Sequence, residues 1–119
     1  MEGKNYHQGI SKTRRGKRVK GVVADYSLSE ESVHRQTVFI KDLSAYGVCI
    51  YAQRKIDIDT ILYMNLYFSG NPQAFEVRGR VVWQSMSEYL GYHCVGIEFF
   101  GLSQDEQDKL LKYISSILS

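Results

Sequence analysis

A chain of 119 residues has room for one domain, and 44% hydrophobic against 24% charged residues is an ordinary globular mix with apolar mass for one core. One proline and nine tyrosines argue against a disordered chain. The formal net charge of +2 is too small for a general polyanion binder, and no apolar run is long enough to span a bilayer.

The charge is unevenly placed. Lys4, Lys12, Arg14, Arg15, Lys17, Arg18 and Lys20 crowd the first twenty residues against only Glu2. Residues 1–12 are polar without periodicity and are predicted to form a flexible basic arm, which attracts an anionic ligand or surface. They contain no apolar segment of the kind that leads a secreted protein, so a cytoplasmic location is expected.

From about Val19 the text alternates. Val22, Ala24 and Tyr26 fall on one side of a strand, with Val23 and Asp25 on the other. Ser27 to Glu31 reads as a loop. Gln36 to Ile40, rich in β-branched residues, is a second strand. Asp42 to Gly47 breaks the pattern as a turn or bulge, and Val48 to Ala52 resumes as a third strand. Gln53 to Thr60 is a polar loop. Ile61 to Phe68 is a strand with Leu62, Met64, Leu66 and Phe68 on one face, followed by the turn Ser69-Gly70-Asn71-Pro72. In the long strand Ala74 to Gln84, parity puts Phe75, Val77, Val81 and Trp83 on one face and Glu76, Arg78 and Arg80 on the other. Ser85 to Glu88 turns the chain, and Leu90 to Phe100 is another strand. Ser103 with Glu106 three residues on is a capping box, with Asp105 also in the first turn. Leu110, Leu111, Ile114, Ile117 and Leu118 then recur at helical spacing, predicting an amphipathic helix over about 103–118.

Six or seven short strands without intervening helices, closed by one helix, predict an all-β antiparallel barrel or sandwich. Cys49 and Cys94 lie in apolar strand text and are expected as small buried side chains, not a disulfide framework. His7, His34 and His93 have no metal-ligand spacing with them, and no metal or cofactor is expected. No nucleophile–base pair is arguable, so an enzyme is not expected either.

Two constellations carry chemistry. Arg14-Arg15-Gly16-Lys17-Arg18 places two arginines four apart just before the first strand. Guanidinium forks grip phosphate oxygens in pairs and can also grip or stack on guanine. Asp42, Ser44 and Gly47 are spaced D-x-S-x-x-G. A carboxylate there can accept from a guanine edge, a hydroxyl can donate to a phosphate or base, and a glycine permits positive φ or close approach. Each constellation also has a bland reading, as a solvated basic run and as a side-chain turn between strands.

Together, R-x-x-x-R, one strand, then D-x-S-x-x-G opening the next strand resembles the PilZ domain family. Gly79-Arg80-Val81-Val82-Trp83 is similar to the family's late barrel strand, and Gly91 to Phe100 to its last strand. The resemblance runs from about Thr13 to the carboxyl terminus. It implies a six-stranded antiparallel β-barrel over about 19–100 with a helix at one end, the domain occupying 13–119. It also implies a receptor for cyclic di-GMP. By motif, Arg14 and Arg18 would clamp phosphate and guanine, Asp42 and Ser44 would fix base edges, and Gly47 would shape the floor. Gly96 is expected to leave room for a base. Arg15 competes with Arg14 for the first role, since the basic run fits either register. Trp83 is expected in the core or rim of the barrel, with stacking on guanine as the lesser reading. The implied output is a partner protein met by the ordered arm, in a pathway such as motility or biofilm formation. The rival readings are a nucleotide-independent adaptor of motility or pilus machinery, and a small nucleic-acid-binding barrel.

Overall fold

The structure, a computed structural model, describes residues 19–86 and 91–118. Six strands follow one another: β1 (Val22–Ser27), β2 (Gln36–Leu43), β3 (Gly47–Ala52), β4 (Ile61–Phe68), β5 (Phe75–Met86) and β6 (His93–Phe100). One helix, α1 (Gln104–Leu118), ends the described chain. The strands close into a barrel in the order β1-β2-β3-β6-β5-β4, every neighbouring pair antiparallel. Closure leaves no unpaired sheet edge, which suits a small all-β chain. The fold is the predicted six-stranded antiparallel barrel with a terminal helix.

Alternation fills the inside. Ala24, Ile40, Val48, Ile50, Leu62, Leu66, Val81 and Val95 are fully buried and meet in one core. One barrel end is stopped by α1, whose buried Leu110 and Ile114 join that core. Tyr113 of α1 sets its ring 5.2 Å from Phe68 and 6.1 Å from Phe75. The helix begins as the sequence predicts: Glu106 N–H donates to Ser103 Oγ (3.1 Å), and Ser103 N–H donates to Glu106 Oε1 (2.8 Å). Its apolar stripe is narrower than predicted, because Leu111 and Leu118 are exposed. The other end holds Ile56, whose backbone N–H and C=O are both satisfied by the Gln84 side-chain amide.

Outside the barrel, Arg35 fastens the long β1–β2 connection. Its guanidinium donates to Asp25 Oδ1 (2.6 Å), Ser27 Oγ (3.0 Å) and the Tyr63 carbonyl (2.6 Å).

The break expected over Asp42 to Gly47 as a turn or bulge is both: a bulge at Asp42, with β2 running on through Leu43, and then a turn closed by Ser44 and Gly47. Elsewhere the structure differs from the sequence expectation. Ser85 and Met86 extend β5 where a turn was expected, pairing with Cys94 and His93. Trp83 leaves the face of Phe75, Val77 and Val81. The register slips in β2 between Ile40 and Asp42, and in β5 between Val81 and Trp83. Each slip inserts one extra residue, Lys41 or Val82, and reverses the facing of everything beyond it.

Candidate functional site

The two slips assemble one row of side chains on the outer wall. Asp42 is paired with Cys49, Cys49 with Gly96, and Gly96 with Trp83. Residues directly opposite in antiparallel strands share a face. Val48 and Ile50 fill the core, so Cys49 points outward and the whole row points outward with it. Counted by unbroken parity from Ile40 and Val81, Asp42 and Trp83 would point into the core; the extra residues Lys41 and Val82 turn them outward.

Gly96 receives Trp83. A Cβ at Gly96 would sit 2.1 Å from Trp83 Nε1 and 2.3 Å from Cε2. The missing side chain therefore makes room for the indole of the next strand, and the space expected for a base is filled by it. Trp83 and Tyr92 pack on a small second cluster of Cys49, Tyr51 and Cys94. The Cys49 thiol is held well above its ordinary range, first by its hydrogen bond with Cys94 and then by burial. It is a neutral packing group at physiological pH. Lys41 is buried beside this cluster, its Nζ 3.9 Å from Cys94 Sγ and 6.0 Å from the Tyr51 ring centroid. Asp42 is buried as well. Two buried polar side chains, Lys41 and Asp42, thus stand next to each other on the same strand.

The β2–β3 turn stands at the edge of this wall. Ser44 N–H donates to the Gly47 carbonyl (2.9 Å), Tyr46 N–H donates to Ser44 Oγ (3.1 Å), and Phe99 N–H donates to the Tyr46 carbonyl (2.9 Å). The Ser44 hydroxyl thus already supports its own turn. Gly47 was expected to use positive φ or to admit a ligand. Its φ is not positive, and the close neighbour is protein: a Cβ there would lie 2.4 Å from the Ile97 carbonyl oxygen. Only a hydrogen atom fits where β3 meets β6.

Ser44, Tyr46, Gly47, Val82, Trp83 and Glu98 line an open pocket of about 440 Å³, within the usual range of small-molecule sites, about 300–1,000 Å³. Glu98 is held by Arg80 (2.9 Å), which also binds Asp59 (2.8 Å). These two carboxylates raise the Arg80 pKa further and keep it cationic.

Of the residues singled out in the sequence, Asp42, Ser44, Gly47, Gly96 and Trp83 meet on this wall. Arg14, Arg15, Arg18 and the 1–12 arm lie outside the described residues. The first described residue, Val19, donates its N–H to the Ile40 carbonyl (2.7 Å), two positions before Asp42. Lys41, Tyr46, Val82 and Glu98 were not singled out. For Lys41 and Val82 the only signal was a break in strand parity, and parity cannot say which residue is inserted. Among the described residues, no three His, Cys, Asp or Glu side chains gather as metal ligands, and no helix is long and apolar enough to cross a membrane.

The PilZ domain family model matches residues 10–116. No curated protein matches the chain significantly by sequence. Solved structures do. The Bacillus subtilis inhibitor of motility (MotI/DgrA) superposes with a TM-score of 0.63 at 14% identity, over 82% of this chain and 47% of that one. MrkH, described as a c-di-GMP-dependent transcription regulatory factor, gives 0.59 at 12% identity, over 83% and 47%. The Borreliella burgdorferi PlzA protein, solved in complex with c-di-GMP, gives 0.57 at 10% identity, over 97% and 56%. The chain spans about half the length of each of these structures.

Proposed function

The chain belongs to the PilZ domain family, and from that premise we propose that it is a receptor for cyclic di-GMP that orders its amino-terminal arm on the ligand and signals through a partner protein. It is a binding module and not an enzyme, acting in the cytoplasm, with motility and biofilm formation as the fitting outputs. The observation that carries the reading is the single outward row of Asp42, Gly96 and Trp83, beside Ser44 and Gly47.

A cyclic dinucleotide presents two guanines and two phosphates. On this reading Trp83 and Val82 offer an aromatic and apolar surface for a guanine face, and Asp42 is the carboxylate assigned to its N–H edge. The described wall is poor in cations free to take phosphate, since Arg80 is already shared between Glu98 and Asp59. The arm holds the missing charge. Arg18 directly precedes Val19, which is anchored two residues from Asp42, and Arg14 is five residues from that anchor. An extended chain covers up to about 3.6 Å per residue, so both arginines are within reach of the wall. Arg15 is the alternative partner in the same run.

Ordering the arm against the wall changes the surface a partner meets. A ligand shifts such an equilibrium only by its differential affinity for the ordered state. Replacing Arg14 or Arg18 by Ala is expected to weaken ligand binding by about 1.5–3 kcal/mol each, the scale of a charge-assisted hydrogen bond.

The test is calorimetric titration of the chain with cyclic di-GMP, with GTP and a short DNA as controls. Saturable binding at micromolar or lower concentration, absent from the controls, supports the receptor and returns the stoichiometry. Silence with every ligand moves the reading to a nucleotide-independent adaptor. Binding of the DNA, falling steeply with salt, moves it to a nucleic-acid-binding barrel.

A further inference from the structure

The Tyr46 side chain is not explained by the fold. It occupies the tip of the β2–β3 turn, where small and polar residues serve best. Its backbone is pinned on both sides: its N–H donates to Ser44 Oγ at 3.1 Å, and its carbonyl accepts from Phe99 N–H at 2.9 Å. The side chain is nevertheless 72% exposed, the most exposed aromatic among the described residues. Among those residues it has no hydrogen-bond or ring partner. A large ring held out on a rigid backbone loses the gain of burial, and nothing in the turn requires it.

The ring is not placed at random. Tyr46 shares its pocket with Trp83, Val82 and Ser44, the last being the serine of D-x-S-x-x-G. Val82 is the residue inserted by the β5 slip and is itself over a third exposed. Trp83 is committed to the protein, since its indole lies on Gly96 and on the Cys49 cluster. Tyr46 is therefore the aromatic side chain of this pocket with its face still open to a ligand.

Resting on the receptor reading above, we propose that Tyr46 is a ligand-contact residue whose ring stacks on a purine base of the bound nucleotide. Every base has a π-face, so the contact adds affinity without reading base identity, which stays with hydrogen-bonding groups such as Asp42. A preordered turn makes such a stack inexpensive, because only a side chain with two rotatable bonds is immobilised.

The experiment titrates cyclic di-GMP into the parent chain and into Tyr46→Ala, Tyr46→Phe and Tyr46→Leu, each first compared with the parent by thermal unfolding. Because the ring is exposed, all four should unfold alike. Tyr46→Ala should bind about 5- to 150-fold more weakly, the range for loss of one base–aromatic stack. Tyr46→Phe should restore binding, whereas Tyr46→Leu, of similar apolar bulk and no π-face, should not. If Tyr46→Ala binds like the parent, the stack is wrong and the receptor stands. If Tyr46→Leu restores binding as fully as Tyr46→Phe, the contact is only bulk and the stacking assignment is overturned. If the parent binds no cyclic di-GMP, the receptor reading fails and the Tyr46 assignment fails with it.

Discussion

The indole of Trp83 lies on the backbone of Gly96 across β5 and β6, so closely that a Cβ at Gly96 would fall within 2.6 Å of three of its ring atoms. One residue inserted at Val82 and one side chain omitted at Gly96 together make a socket for the chain's only tryptophan.

Gly96→Val should expel the indole. Overpacking of this kind costs about 1–3 kcal/mol, to be read as a lower denaturant midpoint. Trp83 emission should shift to the red as the ring becomes wetter. An unchanged spectrum would mean that the socket is not formed in solution.

Gly47 and Gly70 should respond differently to alanine. At Gly47 the new Cβ meets the Ile97 carbonyl at 2.4 Å, and backbone held in a ladder has nowhere to go. At Gly70 nothing lies within 4 Å and the residue needs only its positive φ of 83°. Gly70→Ala should therefore cost about 1–2 kcal/mol, and Gly47→Ala about 3 kcal/mol or more, the upper end of overpacking. Equal losses in chemical denaturation would count against the close β3–β6 approach.

Alkaline pH should destabilise the barrel through Cys49. Its thiol is raised above the ordinary value of 9.0 by the Cys94 hydrogen bond and by burial. The folded state holds the proton that the unfolded chain releases, so the thiol's contribution is complete below pH 9.0 and is lost as pH climbs past that value. Unfolding free energy measured from pH 7 to 10.5 should fall at the alkaline end, and Cys49→Ala should flatten that fall. The same burial makes Cys49 slow toward alkylating reagents until the chain unfolds.

Ser103→Ala removes half of a reciprocal cap, the bond from Glu106 N–H at 3.1 Å. A loss of about 0.5–2 kcal/mol is expected. The helix stops one end of the barrel through Leu110 and Ile114, so the loss should appear in a single cooperative transition of the whole domain. A separate early melting of α1 would show that the helix is not part of the barrel's core.

Much of the barrel was legible because its determinants are local. β4 spans Ile61–Phe68, the bounds its alternation predicts, and Leu62, Met64, Leu66 and Phe68 are all buried. The Ser103–Glu106 cap, written in two residues three apart, formed as read. Trp83 failed for an equally definite reason. Parity counted from Phe75 and Val77 puts it in the core, and one inserted residue reverses the count. Leu111 failed because helical spacing marks a stripe, while the width of the barrel mouth decides how much of that stripe is covered.

By itself the sequence determined the alternation within unbroken strands such as β4, the helix cap, and the motif that marks the family, because each of these is a relation between near neighbours. The tertiary structure alone decided which face Asp42 and Trp83 present, what Gly47 and Gly96 make room for, and that Tyr46 shares a pocket with both Ser44 and Trp83. Those outcomes depend on register between strands up to about fifty residues apart, as in Cys49 opposite Gly96. A single inserted residue on one strand changes the facing of all that follow, and only pairing with the neighbouring strand reveals where it lies.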